Sequence, residues 1–181
     1  MFLFYIYWET WNSNFKLVFN ISQLRLGWFI FVWRHQDAGR DTDGLVVWDY
    51  HVILIKKENT GTLVYDLDTR LPFPCDFKLY TDKSFGDETN ILPEFHRMFR
   101  VVSGEEFLQS FSSDRRHMRD AEGRWQKPPP NWVFIRGSKQ EEHNLDTFIR
   151  MDQQGPGTVN NLEQFKNIFS WVFRRFYVQF R

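Results

Sequence analysis

Three titratable side chains interrupt two apolar segments of this 181-residue chain. His51 stands in "VVWDYHVILI", and Asp66 and Asp68 stand in "LVYDLDTRLPFPC". An imidazole beside a carboxylate is the base and orienting acid of nucleophilic hydrolases, because the carboxylate fixes one ring nitrogen and the other nitrogen takes up a proton. A structural His–Asp hydrogen bond in a partly buried sheet is the alternative interpretation of the same pattern.

The two segments predict a β-hairpin, because the polar stretch "KKENTG" between them offers turn residues. Side chains alternate between the two faces of a strand, so His51 shares a face with Ile53. A two-residue loop at 58–59 places Asp66 directly across from His51, and a loop one residue further along places Asp68 there. Either register brings a carboxylate within hydrogen-bonding reach of the imidazole.

The sequence predicts no metal site and no cofactor. Its histidines show no H-x-H or H-x-x-x-H spacing. The chain contains one cysteine, Cys75, which excludes a disulfide within the chain and a cysteine-rich zinc site. Because Cys75 follows Pro74 just past the second strand, we expect a small apolar side chain in a proline-braced turn. A single cysteine also suits a reducing compartment.

The overall composition indicates a folded domain without a strongly charged partner. The formal net charge is zero and the pI is about 7.0, which points neither to nucleic acid nor to an anionic membrane. The N-terminal run "MFLFYIYW" lacks a basic flank and a cleavage site, so we do not expect a signal peptide. The run "LGWFIFVW" is too short to span a bilayer.

The rest of the sequence predicts the elements that must hold the hairpin. A strand is expected at 99–102, and a helix is expected after Ser103, which is a suitable N-cap residue. Two more helices are predicted in "NLDTFIRMD" and "VNNLEQFKNIFSWVFRRFY", and a short helix followed by a strand in "NFKLVFNISQLRLGWFIFVW". These patterns predict a single α+β domain over residues 1–181, with helices packed on an antiparallel sheet.

The two hairpin segments, together with "FSSDRRHMRDAEGRWQKPPP" and "NLEQF", resemble the protein N-terminal glutamine amidohydrolase family. The resemblance implies hydrolysis of the side-chain amide of an N-terminal glutamine to give glutamate and ammonia, which feeds the arginine branch of the N-degron pathway. It covers about 46–165. The ends, 1–45 and 166–181, diverge from the family, which favours an altered or mispredicted gene structure over the alternative of functional divergence.

The resemblance also implies a site and its setting. The family uses a Cys–His–Asp triad on a papain-like or transglutaminase-like α+β fold. Carried onto this sequence, the histidine of "WDYH" is His51 and the first aspartate of "YDLD" is Asp66. Asp68 then has a structural role and caps the turn that follows. The implied partners are proteins or peptides with an N-terminal glutamine, and the implied protein is a monomer of the cytosol and nucleus.

The family nucleophile has no clear counterpart in this sequence. In the family it is a cysteine in a block resembling Y-C-E-E-N-x-W-K-L, and the nearest stretch here, "YWETWNSNFKL", places Trp8 at that position. The alternative function is therefore a non-catalytic family member that binds peptides or proteins. We also expect the chain as it stands to release no ammonia, and residues 1–30 to pack poorly.

We interpret the polar stretch "RRHMRDAEGRWQKPPPNW" as a loop that carries other charged side chains. We predict that Arg115, Arg116 and Arg119 are solvated rather than parts of an anion site. His117 lacks a strand context and an acid at the right spacing, so it is not the predicted base. "KPPPNW" is predicted to form a rigid rim of the cleft, and the tail "FRRFYVQFR" to form the end of a core helix.

Overall fold

The computed structural model describes residues 15–21, 32–38, 46–47, 50–86, 88–89, 92–93, 96–129, 131–140 and 142–170. The strands are β1 (Phe15–Ile21), β2 (Val32–Trp33), β3 (Val46–Val47), β4 (Tyr50–Glu58), β5 (Gly61–Tyr65), β6 (Cys75–Asp76), β7 (Met98–Ser103) and β8 (Thr158–Asn161). The helices are α1 (Phe77–Ser84), α2 (Gly104–Ser110), α3 (Leu145–Ile149) and α4 (Leu162–Phe169).

Six of these strands form an antiparallel sheet in the order β6-β5-β4-β1-β7-β8. The short strands β2 and β3 pair separately. The predicted α+β class is confirmed for the described residues, as are the predicted strand before Ser103 and the helices α2 and α3. The last predicted helix is present as α4, but its first predicted residues, 159–161, belong to β8. Part of the predicted last helix, residues 171–181, lies outside the described residues.

The centre of the sheet is β1, a segment that we expected to pack poorly. It pairs with β4 on one side and with β7 on the other. Its residues alternate in the manner of a strand: Leu17 and Phe19 point to one face, and Val18 points to the other. All three are buried. The expectation of poor packing is therefore wrong for residues 15–21, and the predicted short helix there is replaced by a strand.

Both faces of the sheet are covered by helices. One face packs against α1 and α4 through Phe77, Tyr80, Phe165 and Phe169. The opposite face packs against α2 and α3 through Phe107, Leu145 and Phe148. A strand that is covered on both faces needs apolar side chains on both, and the continuous run "LVF" of β1 meets that need.

The helix α1 was not predicted from the sequence. The side chain of Asp76 caps it by accepting a hydrogen bond from the backbone N–H of Leu79 at 2.9 Å. The predicted cap of α2 is confirmed, because Ser103 Oγ accepts a hydrogen bond from Glu106 N at 3.1 Å. A capping signal that directly follows a two-residue strand is hard to separate from a loop, which explains the missed helix.

A buried arginine organises the loop between α3 and β8. Arg100 on β7 is 1% exposed. Its guanidinium donates to three backbone carbonyls, those of Arg150 at 2.6 Å, Gln153 at 2.9 Å and Pro156 at 3.0 Å. Gly155 lies so close that a Cβ there would be 3.0 Å from Nη1 of Arg100. The loop therefore takes its shape from a side chain of the sheet.

Within the part of the chain that the structure describes, no helix is long and apolar enough to cross a membrane.

The position of β1 predicts a large effect of shortening Phe19. This ring is 2% exposed and lies 5.3 Å from the ring of Phe148 and 6.0 Å from that of Phe107, centroid to centroid. Phe19→Ala leaves a cavity at that junction and should lower the free energy of unfolding by about 3–5 kcal/mol in urea titrations. The control Val133→Ala changes a side chain that is 86% exposed and should stay within about 0.5 kcal/mol of the parent. Equal effects would contradict the central position of β1.

Candidate active site

The imidazole of His51 and the carboxylate of Asp66 form a direct contact. His51 Nε2 lies 2.9 Å from Asp66 Oδ1. The His51 side chain is 12% exposed, whereas that of Asp66 is 1% exposed. The prediction of a hydrogen bond between the two side chains is confirmed. The predicted face is also confirmed, since His51 contacts Asp66, and Asp66 is bound by Tyr80 of the core that contains Ile53 and Ile55.

Of the two registers that the sequence allows, the one that places Asp66 directly across from His51 is wrong. The hairpin loop is at 59–60 rather than 58–59, so that Glu58 pairs with Gly61 and Leu54 pairs with Tyr65. A continued ladder would place Asp68 across from His51, but β5 ends at Tyr65. The prediction of the contact is right although its geometric reason is not.

The chain turns immediately after β5, and this turn carries Asp66 to His51. The backbone carbonyl of Asp66 accepts a hydrogen bond from Thr69 N at 3.3 Å. Its carboxylate Oδ1 accepts another from Asp68 N at 3.0 Å. An aspartate that binds the backbone two residues further along forms an Asx-turn. The turn therefore holds Oδ1 of the carboxylate by a local hydrogen bond.

A third donor comes from α1. The hydroxyl of Tyr80 donates to Asp66 Oδ2 at 2.6 Å, and Tyr80 is fully buried. Burial alone would raise the pKa of Asp66, but the hydrogen bond and charge of His51, together with the hydrogen bonds from Tyr80 and Asp68, hold that pKa below its usual value. The carboxylate is therefore ionised at neutral pH.

This arrangement divides the two nitrogens of His51 between two tasks. An ionised carboxylate can only accept hydrogen bonds, so the proton lies on Nε2 and is donated to Asp66. In the neutral ring, Nδ1 then carries the lone pair. Asp66 can therefore orient the imidazole of His51 and stabilise its protonated form, as a general base requires.

Asp68 has a structural role, but it does not cap the turn. Its Oδ2 accepts a hydrogen bond from Ala38 N at 3.2 Å, and its backbone carbonyl accepts one from Asp37 N at 2.6 Å. Burial raises the pKa of Asp68. Asp68 therefore joins the segment 34–38 to the turn that Asp66 closes.

The single thiol of the sequence lies in the core. Cys75 on β6 pairs with Val64, is 1% exposed and packs in the cluster under α1 and α4. Burial, and then the charge of Asp76, raise the pKa of its thiol. Val64 pairs with Ile55, four residues along β4 from His51. Strand spacing then separates Cys75 from His51 by roughly 16 Å, which excludes a thiol–imidazole pair.

The other predicted groups have mixed outcomes. Trp8 lies outside the described residues. Arg116 and Arg119 are exposed, as predicted, and His117 lies in a short 3-10 turn rather than a strand. Arg115 contradicts the prediction of a solvated side chain: it is 5% exposed and donates to the carbonyls of Trp132 at 2.7 Å and Val133 at 3.1 Å. The position of "KPPPNW" at a cleft rim stays a prediction.

A second polar region lies between the segment after α2 and the segment before α3. It encloses a pocket of about 420 Å³. In its wall, Asp114 Oδ2 binds Arg116 Nη2 at 2.6 Å and Asp114 Oδ1 lies 3.2 Å from His143 Nδ1. The hydrogen bonds from Arg116 hold the pKa of Asp114 far below its usual range. These segments adjoin the helices of the opposite face of the sheet from His51. Among the described residues, no group of three side chains is arranged to hold a metal ion.

The low pKa of Asp66 predicts how stability depends on pH. The ionised Asp66 carboxylate stabilises the folded state fully at pH values above 3.8, the ordinary pKa of an aspartate. This stabilisation is lost as the pH falls through the lower pKa that Asp66 has in the folded protein. Asp66→Asn should lower the free energy of unfolding by about 2 kcal/mol at pH 7, and the difference from the parent should narrow below about pH 4. Urea titrations from pH 7 to 3 measure it. The exposed Asp152→Asn is the control, and a difference that grows toward low pH would refute the assignment.

The burial of Cys75 predicts slow reaction with thiol reagents. Only the thiolate reacts, and both burial and the raised pKa disfavour it. Alkylation of the native protein by iodoacetamide, followed by mass spectrometry, should be on the order of a hundredfold slower than in urea. Equal rates would show that Cys75 is accessible in the folded protein.

Comparison with known proteins bears on the same residues. The family model described as N-terminal glutamine amidase matches residues 13–169. The chain is 43% identical over 141 residues to a bovine protein N-terminal glutamine amidohydrolase, covering 77% of this chain and 67% of that protein. The human protein of that name is 42% identical over 140 residues, and the Drosophila melanogaster protein is 46% identical over 140 residues. Each of these two matches covers 76% of this chain and 67% of the relative.

The match begins well before residue 46, so it includes β1 as well as the hairpin. It also includes the turn with Asp66, the helix α1 with Tyr80 and the whole of α4. The chain belongs to the N-terminal glutamine amidase family.

Proposed function

We propose that the His51–Asp66 site of this chain is built for hydrolysis of the side-chain amide of an N-terminal glutamine to N-terminal glutamate and ammonia, and that turnover needs a cysteine beside His51 in addition to these two residues. The observation that carries the proposal is the 2.9 Å contact between His51 and the buried Asp66 in a chain of this family. The substrates are proteins or peptides that begin with glutamine. The relatives at 42–46% identity are named for this reaction.

In the proposed reaction His51 is the base and Asp66 orients it. Amide hydrolysis needs a nucleophile stronger than water, and family resemblance makes that nucleophile a cysteine thiolate. Attack on the glutamine δ-carbonyl gives a tetrahedral intermediate, and protonated His51 gives its Nδ1 proton to the departing ammonia. Water then attacks the resulting thioester while His51 takes a proton from it. Asp66 stays ionised throughout, because three hydrogen bonds stabilise its charge.

The setting of the reaction is part of the proposal. We place the protein in the cytosol and nucleus, as a monomer that feeds the arginine branch of the N-degron pathway. A chain with one buried cysteine and a formal net charge of zero fits a reducing compartment and a protein substrate rather than nucleic acid or a membrane.

One observation favours a second candidate function. The thiol of Cys75 is buried and lies roughly 16 Å from His51 by strand spacing. Without another thiol beside His51, the oriented imidazole has no strong nucleophile to activate. The second candidate is a family member that binds N-terminal peptides without turnover.

The assay that separates the two functions measures ammonia released from peptides that begin with glutamine, with internal-glutamine peptides as controls. The chain as it stands should release no ammonia above background, because losing a triad nucleophile can cost on the order of 10⁶ in rate. A chimera in which residues 1–14 are replaced by the cysteine-bearing block of a relative should release ammonia. His51→Ala in this chimera should abolish the release.

Each other outcome decides against part of the proposal. A silent chimera with intact fold would favour the binding function. Turnover that survives His51→Ala would remove His51 from the reaction. Turnover by the unmodified chain that is lost on Cys75→Ser would make the buried cysteine the nucleophile after all.

A further inference from the structure

We propose that Tyr80 is a positioning residue for the reaction: its hydroxyl fixes the Asp66 carboxylate and, through it, sets the strength of the hydrogen bond that holds His51. The inference rests on the proposed role of His51, but its test measures the His51–Asp66 hydrogen bond and does not require the protein to hydrolyse a substrate. A failure of the proposed activity and a failure of the proposed Tyr80 coupling can therefore be told apart.

The position of the Tyr80 hydroxyl is set by core packing. Tyr80 is fully buried in the third position after the start of α1. Its ring meets the ring of Phe85 edge-to-face, at 5.8 Å between centroids and 85° between planes. The capped first turn of α1 fixes the backbone from which this ring extends. The hydroxyl therefore reaches Asp66 from a rigid helix and not from a mobile loop.

The phenol is present as a hydrogen-bond donor. Burial, and then the negative charge of Asp66, raise the pKa of Tyr80 well above its ordinary value. The hydroxyl thus keeps its proton at every pH at which the protein would work. A protonated phenol 2.6 Å from a carboxylate oxygen donates a short, charge-assisted hydrogen bond.

The two oxygens of Asp66 receive donors from different elements. Oδ1 accepts from His51 and from the backbone of Asp68, whereas Oδ2 accepts from Tyr80. The Tyr80 bond therefore prevents rotation of the carboxylate about its Cβ–Cγ bond. It also draws negative charge toward Oδ2, which leaves less charge on the oxygen that His51 contacts. Removing the phenol hydroxyl should therefore strengthen the bond to His51 and loosen its orientation.

A purely structural Tyr80 would have a different signature. If the side chain only fills space in the core, its ring matters and its hydroxyl does not affect His51. Tyr80→Phe keeps the ring and removes the hydroxyl. Thr81→Val is the matched control, because it removes a buried hydroxyl from the next residue of α1, one that donates to the carbonyl of Lys78 at 3.1 Å.

The test is NMR of the full-length chain with ¹⁵N-labelled histidine. The ¹⁵N signal of His51 Nε2 and the proton bound to it are assigned with His51→Gln among the five histidines. Tyr80→Phe should move this proton downfield, as expected for a stronger hydrogen bond to Asp66. Thr81→Val should leave it unchanged. 3-Fluorotyrosine incorporated at position 80 is a stronger donor of nearly the same size and should move the proton upfield.

A second comparison shows whether the effect passes through the carboxylate. Tyr80→Phe added to Asp66→Asn should not move the ¹⁵N signal of His51 beyond its position in Asp66→Asn alone. The proposal is overturned if Tyr80→Phe leaves His51 where Thr81→Val leaves it, or if the two changes at position 80 move the proton in the same direction. Should Tyr80→Phe fail to fold, the 3-fluorotyrosine protein decides by itself: an unmoved or downfield-shifted proton overturns the proposal.

Discussion

A carboxylate that is ionised inside a protein must be surrounded by donors, and that requirement organises this molecule around Asp66. The desolvation of such a charge is costly unless hydrogen bonds replace the lost water. Here the donors are a side chain of β4, a backbone N–H of the turn after β5 and a hydroxyl of α1. Donors from three different elements thus have to meet at Asp66 to stabilise its negative charge. The same contacts orient His51.

The sheet gives these elements a rigid frame. The strand β4, which carries His51, pairs with β1 along its length from Tyr50 to Lys56. It pairs with β5 only from Leu54 to Glu58, so at His51 the ladder is formed with β1 alone. The helix α1, which carries Tyr80, is pressed onto the same face that His51 occupies. Helices on the opposite face then hold β1 in place through a cluster of phenylalanine rings. The proposed base, His51, is therefore partly exposed on a sheet whose two faces are both covered by helices.

Much of the site follows from local sequence, and the remainder depends on distant pairing. Alternation along β4 correctly placed His51 on the face of Ile53. The predicted contact with Asp66 also forms, but through the turn after β5 and not through the predicted strand register. The register was missed because it depends on which residues of "KKENTG" form the loop, a choice that several turn residues allow. The contact between His51 and Asp66 forms in the other register as well, because the turn after Tyr65 carries Asp66 to His51.

Two other errors have a shared cause. The strand β1 was missed because its partners β4 and β7 are far away in sequence, and the run "KLVFNI" alone does not distinguish a strand from a helix. The burial of Arg115 was missed because its acceptors are backbone carbonyls of residues 132 and 133, which leave no signal in the side-chain pattern. Sequence patterns report the periodicity of neighbouring residues. The pairing of β1 and the burial of Arg115 both depend on residues elsewhere in the chain.

The loop held by Arg100 illustrates a further consequence of binding to backbone. Its three acceptors are carbonyl groups, which every amino acid supplies, so the guanidinium is indifferent to the side chains at 150, 153 and 156. Substitutions at these three positions should therefore change the shape of the loop little. The neighbouring Gly155 is different, because a Cβ there would enter the space of Thr147 O and the guanidinium. At position 100 the reverse holds, because the three carbonyls are bound by two separate nitrogens of one planar guanidinium, a spacing that the single ammonium nitrogen of lysine does not reproduce. The shape of the loop is thus sensitive to mutation at Arg100, on a neighbouring strand, more than at the loop positions that Arg100 binds.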